Sequence, residues 1–348
     1  MARILIACGG TGGHLFPGMA VGRVLEERGH TALLWLAGKA IERQAATQWP
    51  GLRETIETEG SLFRLLKAWR HARRRLQAFR PDLLLAMGSR SSLVPVLVAR
   101  ASRLPIVLHE ANVVPGRAIR LLSRLGASTV AISFAETARY LPGRSLVLTG
   151  YPLRPLPADR PLPGLPGGTT PLVLVMGGSQ GAARVNALAR DALLALQARG
   201  YAFRVLHLAG DREAEAIRRA YAAAGLPALV LGFLHEMGSA YAAADLAISR
   251  AGAGACSELA LFGIPTLFIP YPFAGGHQRQ NAALFENAGA GRLLPEESLT
   301  PERLAEAIAF YLDHPEARTQ ARSAARQLAQ PDAAQRLADL LLAKTRRP

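Results

Sequence analysis

Apolar runs of three to six residues recur along both halves of the chain, and a turn and a longer mixed stretch follow most of them. The runs lie at residues 3–7, 83–87 and 105–109 in the first half, and at 172–176, 203–208, 228–231 and 246–248 in the second. Strands that are covered on both faces read as continuous hydrophobic runs. The pattern therefore predicts an α/β protein built on parallel sheets.

A glycine-rich turn follows the first strand of each half. Residues 8–14 read Cys-Gly-Gly-Thr-Gly-Gly-His, and residues 177–182 read Gly-Gly-Ser-Gln-Gly-Ala. This repetition predicts two Rossmann-like domains in tandem rather than one large sheet. A proline-rich segment lies between them. We expect an N-terminal domain at residues 1–155, a linker at 156–170, a C-terminal domain at 171–330 and a last helix at 331–348.

The stretch at residues 245–282 carries the clearest chemistry. Its strand ends before Gly252 and Gly254. A helix continues from Ala255 to Phe262 with Gly263 as its cap, and a second strand follows at 266–269. Glycines let backbone N–H groups approach a ligand, and a helix start carries roughly half a positive charge, so this turn favours an anion. Glu258, one turn into the helix, is placed to accept hydrogen bonds from sugar hydroxyls. The alternative interpretation is an ordinary βα unit with small residues in its turn.

The first glycine turn leads into a helix that we expect to hold Pro17 in its first turn and to stop at Gly29. The spacing of its glycines is not that of a dinucleotide fingerprint. No Asp or Glu stands directly after the stretch at 31–36, where a dinucleotide-binding protein needs one to bind the ribose. A dehydrogenase is therefore disfavoured. His14 stands at the exit of the turn, where a helix start keeps imidazole neutral. Two roles remain open for it, a general base and a structural cap.

Composition adds a charge constraint. Half of the 348 residues are hydrophobic, which indicates a folded protein, and the net charge of +15 favours anionic partners. Nucleic acid is supported by this bulk charge alone, so we do not expect it. No apolar run approaches the ~20 residues of a membrane span, and no secretory leader is evident. The two cysteines fit small buried positions, and neither a cysteine–histidine cluster nor an Asp-x-Asp motif predicts a metal.

Residues 61–80 form an amphipathic stretch with one apolar face and several arginines around it. Packing of this helix against a sheet is one interpretation. The other is a surface that lies on anionic lipid, with Phe63, Leu66 and Trp69 entering the membrane.

Several motifs together resemble a known family. Gly252-Ala253, Ser257-Glu258, Gly263-Ile264-Pro265 and the polar run at 277–282 resemble the donor half of GT-B glycosyltransferases. The turns at 9–14 and 177–182, His109-Glu110-Ala111-Asn112 and the run at 150–154 extend the resemblance to the family that adds N-acetylglucosamine to lipid I in peptidoglycan synthesis. That family implies two Rossmann-like domains facing across a cleft, with a last helix that returns to the first domain.

The resemblance also assigns roles to residues. It implies that His14 is the base, that Arg154 lies against uracil and that the backbone of Leu234 reads the base. The further residues implied to bind substrate are Thr11, Gly12, Gly13, Asn112, Ser179, Gly252, Ala253, Gly254, Ala255, Cys256, Ser257, Glu258, Gln278 and Asn281.

The chain departs from the family pattern at four places. Residues 88–92 replace a second glycine loop that the family writes GGYVSGP, Ala111 replaces glutamine, Tyr151 replaces asparagine, and Ala255 replaces threonine. These changes fall on turns that the family implies to lie near its substrates.

The implied reaction is inverting transfer from UDP-N-acetylglucosamine to the 4-hydroxyl of undecaprenyl-diphospho-N-acetylmuramyl-pentapeptide, lipid I, to give lipid II, with no cofactor or metal. The implied partners are both substrates, an anionic membrane surface at the cytoplasmic face and other cell-wall synthesis proteins. Three alternatives stay open: a sibling enzyme that glycosylates another lipid such as diacylglycerol, a nucleotide-sugar epimerase, and a basic nucleic-acid-binding protein.

Overall fold

The chain folds into two compact units, one formed by residues 1–154 and 330–348 and the other by residues 155–329. The computed structural model describes residues 1–39, 42–43, 47, 49–56, 62–125, 127, 129–178, 182–273 and 276–345. Each unit holds one parallel sheet with helices on its faces.

The first unit has a seven-stranded sheet in the order β3-β2-β1-β4-β5-β6-β7. Every neighbouring pair is parallel, as in Ile4 beside Leu83 and Arg3 beside Thr31. The order reverses between β1 and β4, and ligands of open α/β sheets bind at the carboxyl ends of strands beside such a reversal. The strands are β1 Arg3–Ala7, β2 Thr31–Leu36, β3 Leu52–Thr55, β4 Leu83–Ala86, β5 Ile106–Glu110, β6 Thr129–Ile132 and β7 Leu146–Leu148.

Helices cover both faces of this sheet and bury its Leu, Ile and Val side chains in two clusters. The last helix belongs to this unit, because Leu337, Ala338 and Leu341 are buried in the same cluster as Leu15 of the first helix. The helices are α1 Gly12–Glu27, α2 Leu62–Phe79, α3 Leu93–Ala101, α4 Arg117–Arg124 and, at the end of the chain, α12 Ala333–Thr345.

The second unit repeats the plan with six parallel strands in the order β10-β9-β8-β11-β12-β13. Its order reverses between β8 and β11. The strands are β8 Leu172–Met176, β9 Arg204–Leu208, β10 Ala228–Leu231, β11 Leu246–Ser249, β12 Thr266–Phe268 and β13 Gly291–Leu293. The helices are α5 Ala183–Ala198, α6 Ala214–Ala223, α7 Met237–Ala243, α8 Ala253–Phe262, α9 His277–Asn287, α10 Pro301–Asp313 and α11 Pro315–Gln327.

The first helix begins earlier than the sequence pattern predicts. Thr11 is its N-cap, so His14 lies in the first turn and Pro17 lies inside the helix. Proline lacks an N–H group and leaves the carbonyl four residues before it without a helical donor. Here that carbonyl belongs to Gly13, and the hydroxyl of Tyr151 donates to it at 3.1 Å. A hydrogen bond from the loop after β7 therefore replaces the one that proline removes.

Across the described part of the chain, no helix has the combination of length and apolar composition needed to cross a bilayer.

Candidate active site

The start of α8 offers unpaired backbone N–H groups at the carboxyl edge of the second sheet. Gly252 is the N-cap with an extended backbone, and no side chain of the described residues caps this helix. The first N–H groups of any helix have no acceptor within it, so those of Ala253, Gly254 and Ala255 are available to a ligand. The helix dipole adds positive potential there, so these backbone N–H groups suit the binding of a diphosphate without a charged side chain.

Two side chains of α9 hold this turn in place. Gln278 Oε1 accepts hydrogen bonds from Ala251 N at 3.2 Å and from Tyr271 N at 2.9 Å. Asn281 Nδ2 donates to the carbonyl of Ala251 at 3.0 Å. These bonds fix the residue that precedes Gly252, and with it the direction of the N–H groups of α8.

The burial of two predicted substrate-binding residues corrects the sequence interpretation. Asn281 and Cys256 have no exposed surface. The N–H group of Cys256 already donates to the carbonyl of Gly252 at 2.9 Å. Direct contact with a ligand is therefore not available to these side chains, and Asn281 acts through the turn that it supports.

Glu258 is half-buried one turn into α8, and its orientation is set by Tyr241. The Tyr241 hydroxyl donates to Glu258 Oε2 at 2.6 Å. A carboxylate has lone pairs for several donors, so this bond leaves Glu258 able to accept hydrogen bonds from a sugar diol. Ser257 and Ala255 lie half-buried in the same helix.

Arg250 is a functional candidate that the sequence pattern did not single out. It forms an ion pair with Glu296, and both side chains are mostly buried. Its guanidinium also donates to the carbonyl of Ile269 at 3.0 Å. Arg250 follows β11, Ile269 follows β12 and Glu296 lies after β13, so these contacts connect the ends of three successive strands. They brace the turn while the charge of Arg250 is neutralised inside the protein. Its position directly after the strand at 246–249 was the available signal.

His14 is partly exposed in the first turn of α1. Its Nδ1 lies 3.1 Å from Thr11 Oγ1. Burial, followed by the nearby positive charge of Lys39, lowers the pKa of His14 from 6.5 to about 4. The imidazole is therefore neutral at pH 7. When Nδ1–H donates to Thr11, the lone pair of Nε2 is free to accept a proton.

Three contacts hold the backbone of the first glycine turn beside His14. Gly10 N donates to Glu42 Oε1 at 2.6 Å, Ser91 Oγ donates to the carbonyl of Gly9 at 2.6 Å, and Tyr151 donates to Gly13 as described above. Ser91 and Tyr151 both stand where the family pattern is broken. Both departures therefore carry hydrogen bonds that fix this turn.

The segment at 88–92 forms a tight turn into a short 3₁₀ helix at Arg90–Ser92. Gly88 has a φ of +82°, and the hydroxyls of Ser89 and Ser91 lie 2.5 Å apart in the buried interior of the turn. The side chain of Arg90 is exposed. The serines therefore serve the internal structure, and Arg90 is the residue of this turn that presents charge outward.

Asn112 lies in a loop that a buried carboxylate organises. Glu110 accepts hydrogen bonds from Asn112 N and Gly116 N, each at 2.8 Å, and from Asn112 Nδ2 at 3.3 Å. His109 beside it is fully buried, its Nε2 lies 3.2 Å from the carbonyl of Gly150, and burial lowers its pKa to about 4. These two residues support the loop, while Asn112 remains half-buried.

The remaining predicted site residues are placed as follows. Arg154 lies over the ring of Phe16, 5.5 Å from its centroid. Leu234 is half-buried and packs against the core of the second unit. Ser179 lies outside the described residues. Thr11 and Gly13 are exposed and Gly12 half-buried around the first turn of α1.

The predicted membrane-facing residues of α2 differ in exposure. Leu66 is 47% exposed, whereas Trp69 packs against the core of the first unit. The side chain of Phe63 lies outside the described residues.

Both cysteines are buried, and burial raises the pKa of each thiol well above its ordinary value. Such thiols are inert at neutral pH. Over the residues that the structure describes, no group of three His, Cys, Asp or Glu side chains is arranged to hold a metal ion.

Comparison with known proteins identifies relatives along nearly the whole chain. The N-acetylglucosamine transferase of Citrifermentans bemidjiense, named for UDP-N-acetylglucosamine and N-acetylmuramyl-(pentapeptide) pyrophosphoryl-undecaprenol, is 38% identical over 98% of this chain and 99% of its own length. The enzyme of the same name from Geobacter sulfurreducens is 35% identical over 99% of both chains.

Solved structures agree with these relatives. The crystal structure of Acinetobacter baumannii MurG superposes with a TM-score of 0.83 at 28% identity and covers 99% of this chain and 100% of that one. A UDP-N-acetylglucosamine 2-epimerase described as putative, from Listeria monocytogenes, has a TM-score of 0.72 at 15% identity over 97% of this chain and 94% of that one, which shows a shared fold alone.

Family profiles match both units. The profile of the glycosyltransferase family 28 N-terminal domain matches residues 4–131, and that of the C-terminal domain matches residues 172–337. Since the two profiles and the relatives span both halves, the chain is a GT-B glycosyltransferase that belongs to glycosyltransferase family 28.

Proposed function

We propose that the protein transfers N-acetylglucosamine from UDP-N-acetylglucosamine to the 4-hydroxyl of lipid I and so produces lipid II. The observation that carries this proposal is the uncapped start of α8, with Glu258 one turn further on and held by Tyr241 at 2.6 Å. Such an arrangement suits a diphosphate beside a ribose diol. The enzymes named for this reaction are similar over nearly the full chain.

Inversion at the anomeric carbon requires one base and a stabilised leaving group, and it needs no covalent intermediate. The acceptor hydroxyl loses its proton as its oxygen attacks the anomeric carbon, and the bond to the UDP oxygen breaks. In this proposal the N–H groups of Ala253, Gly254 and Ala255 take up the charge that develops on UDP. A single well-placed donor of this kind lowers a barrier by ~3 kcal/mol.

His14 is the base in this scheme. Its neutral imidazole accepts the proton from the acceptor hydroxyl, while Thr11 orients the ring through Nδ1. Thr11, Gly12 and Gly13 surround that position, and Asn112 offers a side-chain amide from its Glu110-braced loop. Arg154, Leu234 and Gln278 complete the proposed substrate contacts.

The acceptor is a lipid, so the enzyme must work at a membrane surface. We assign this contact to α2, where exposed Leu66 lies among basic residues that attract anionic headgroups. The protein then acts as a peripheral enzyme at the cytoplasmic face of the membrane.

The direct test is product formation from a labelled donor. Purified protein, UDP-[¹⁴C]N-acetylglucosamine and a short-chain lipid I analogue are expected to give labelled lipid II and free UDP, with diacylglycerol as a control acceptor. Label on diacylglycerol alone supports the sibling enzyme. Isomerised sugar released without any acceptor supports an epimerase, and either result contradicts the proposal.

The pH dependence of kcat/KM is expected to reflect the protonation of His14. Because burial and Lys39 lower the pKa of His14 to about 4, the base stays neutral from neutral pH down to about pH 5, and activity falls as pH drops through the lowered pKa. Lys39→Gln removes one positive charge beside the ring and is expected to move this acid limb upward, towards 6.5.

Lys344→Gln is the matched control, since it removes the same charge from an exposed position of α12. An acid limb that stays in place in Lys39→Gln, or a His14→Ala enzyme with normal turnover, removes His14 from the role of base.

Membrane contact through α2 predicts that Leu66→Ser weakens binding to anionic liposomes by roughly threefold to tenfold. Full burial of a leucine contributes about 1.5–3 kcal/mol, and because Leu66 is 47% exposed, its insertion contributes about half of that free energy. Turnover of a water-soluble acceptor is expected to stay unchanged. Leu148→Ser, at a position that is 43% exposed on β7, serves as the control in a sedimentation assay. Equal liposome binding by both variants contradicts this assignment. Trp69 is left intact because it packs against the core.

A further inference from the structure

A single buried carboxylate joins the ends of the first two strands. Glu42 is 1% exposed, and its two oxygens accept four backbone hydrogen bonds. We infer that Glu42 is a positioning residue for the glycosyl transfer, which fixes the first glycine turn and through it His14. This inference rests on the proposed function, in which His14 is the base.

The two oxygens of Glu42 have different partners. Oε1 accepts from Gly10 N at 2.6 Å, in the turn after β1. Oε2 accepts from Ala37 N at 2.8 Å, Gly38 N at 2.7 Å and Lys39 N at 3.1 Å, in the turn after β2. Successive N–H groups of this kind form a concave anion site in the backbone. Here a side chain of the protein itself fills that site and connects it to the glycine turn.

The carboxylate changes what the first glycine turn is able to bind. Gly10 N already donates to a negative charge, and a phosphate placed at the same point would meet that charge at short range. Neither α1 nor α8 has a capping side chain in the described structure, so the difference between the two turns lies at Gly10, whose N–H group is already taken. At that point the turn holds a carboxylate of the protein itself in place of a phosphate.

Gly10 lies close to the proposed base and to Ser89. Its φ is +135°, a conformation that residues with a side chain rarely adopt, and a Cβ placed there would stand 3.1 Å from Ser89 Cβ and 3.6 Å from His14 Nδ1. The hydrogen bond to Glu42 holds Gly10 in this conformation. Release of Gly10 therefore removes one wall of the space that the imidazole occupies.

Glu42 also holds the residue whose charge acts on the base. Lys39 N donates to Glu42, and the positive charge of Lys39 lowers the pKa of His14. Buried His109 is a further titratable group that interacts electrostatically with His14. One carboxylate thus fixes both the turn that carries the base and the backbone of a cation that adds to the effect of burial on the pKa of the base.

Glu42→Gln is the sharpest test because it keeps the size of the side chain. An amide has one acceptor oxygen, and its NH₂ group faces N–H donors that it cannot satisfy. We expect kcat with a soluble acceptor to fall at least about tenfold, a loss of roughly 1.4 kcal/mol in transition-state stabilisation. The affinity for UDP, measured by calorimetry, is expected to stay within about twofold, since the diphosphate site belongs to the second unit.

Glu54→Gln is the matched control. The Glu54 carboxylate lies in the same unit, on β3, and pairs with Arg75 at 2.5 Å and with His71 at 3.2 Å. Among the described residues it forms no hydrogen bond or ion pair with the first glycine turn. We expect this variant to retain wild-type kcat.

The titration of His14 gives a readout that a purely structural defect would not produce. In ¹³C-labelled protein without substrate, the His14 ring is expected to titrate well below 6.5. In Glu42→Gln its midpoint is expected to rise, because release of the turn exposes the ring and moves Lys39 away from it. This rise is opposite in sign to the direct effect of the lost Glu42 charge, which alone would lower the midpoint. The double variant Glu42→Gln/His14→Ala is expected to be no slower than His14→Ala, because both changes act on the same step.

The outcomes separate this inference from the proposed function. A folded Glu42→Gln protein with wild-type kcat and an unchanged His14 titration overturns the positioning role. If Glu42→Gln does not fold, Glu42→Asp retains the charge and decides the question, with an intermediate His14 midpoint expected and an unchanged one contradicting the role. Failure of the wild-type protein to use lipid I refutes the proposed function, yet the His14 titration still tests Glu42.

Discussion

Backbone N–H groups without helical partners are the constraint around which both units are built. A parallel α/β sheet brings helix starts to the carboxyl ends of its strands, and the N–H groups there must find acceptors or remain open to a ligand. The start of α8 leaves its groups open. The turn after β1 gives its Gly10 N–H to Glu42. The two turns thus differ at the N–H group of Gly10, and in our proposal the anion site belongs to the second unit.

Neutral braces keep the open turn in place. Gln278 and Asn281 hold Ala251 through amide groups, and the cation Arg250, which precedes Ala251, is paired with Glu296. A turn that is fixed in this way does not reorganise when charge develops on a leaving group, which is the basis of electrostatic catalysis by preorganised dipoles. Tyr241 gives Glu258 the same kind of fixed orientation.

Two of the departures from the family pattern, Ser91 and Tyr151, support the same turn in the first unit. Tyr151 donates to Gly13, whose carbonyl lacks a helical donor because Pro17 has no N–H group. Ser91 donates to Gly9, one residue before the glycine that Glu42 binds. A turn with four glycines has little conformational preference of its own. Its shape is therefore set by side chains from three distant parts of the sequence.

The local pattern predicted the central strands and α8 well, because fully buried strands and a helix that ends at Gly263 leave strong signals. The GT-B fold that the motifs implied is confirmed by the relatives, and so is the family. Short edge strands such as Leu52–Thr55 escaped prediction because they are partly exposed and lack a continuous apolar run. The predicted start of α1 was wrong. The hydroxyl of Tyr151, which is distant in sequence, donates to the carbonyl that Pro17 leaves without a helical donor.

The roles of Glu42 and Arg250 were not predicted from the sequence, for a related reason. Their partners are backbone groups or residues that are distant in sequence, and no spacing rule reveals such contacts. Asn281 was predicted to touch substrate, but its polarity serves a buried brace. Sequence patterns identify which turns matter, whereas the direction of each polar side chain depends on tertiary contacts.

The open N–H groups of α8 are central to the proposed function, and amide chemical shifts test directly whether they bind the diphosphate. In protein labelled with ¹⁵N-glycine and ¹⁵N-alanine, titration with UDP in the presence of EDTA is expected to shift the amides of Gly252, Ala253, Gly254 and Ala255 the most, with the same affinity when Mg²⁺ is added. Largest shifts at Gly10, Gly12 and Gly13 instead, or binding that appears only with Mg²⁺, would contradict it.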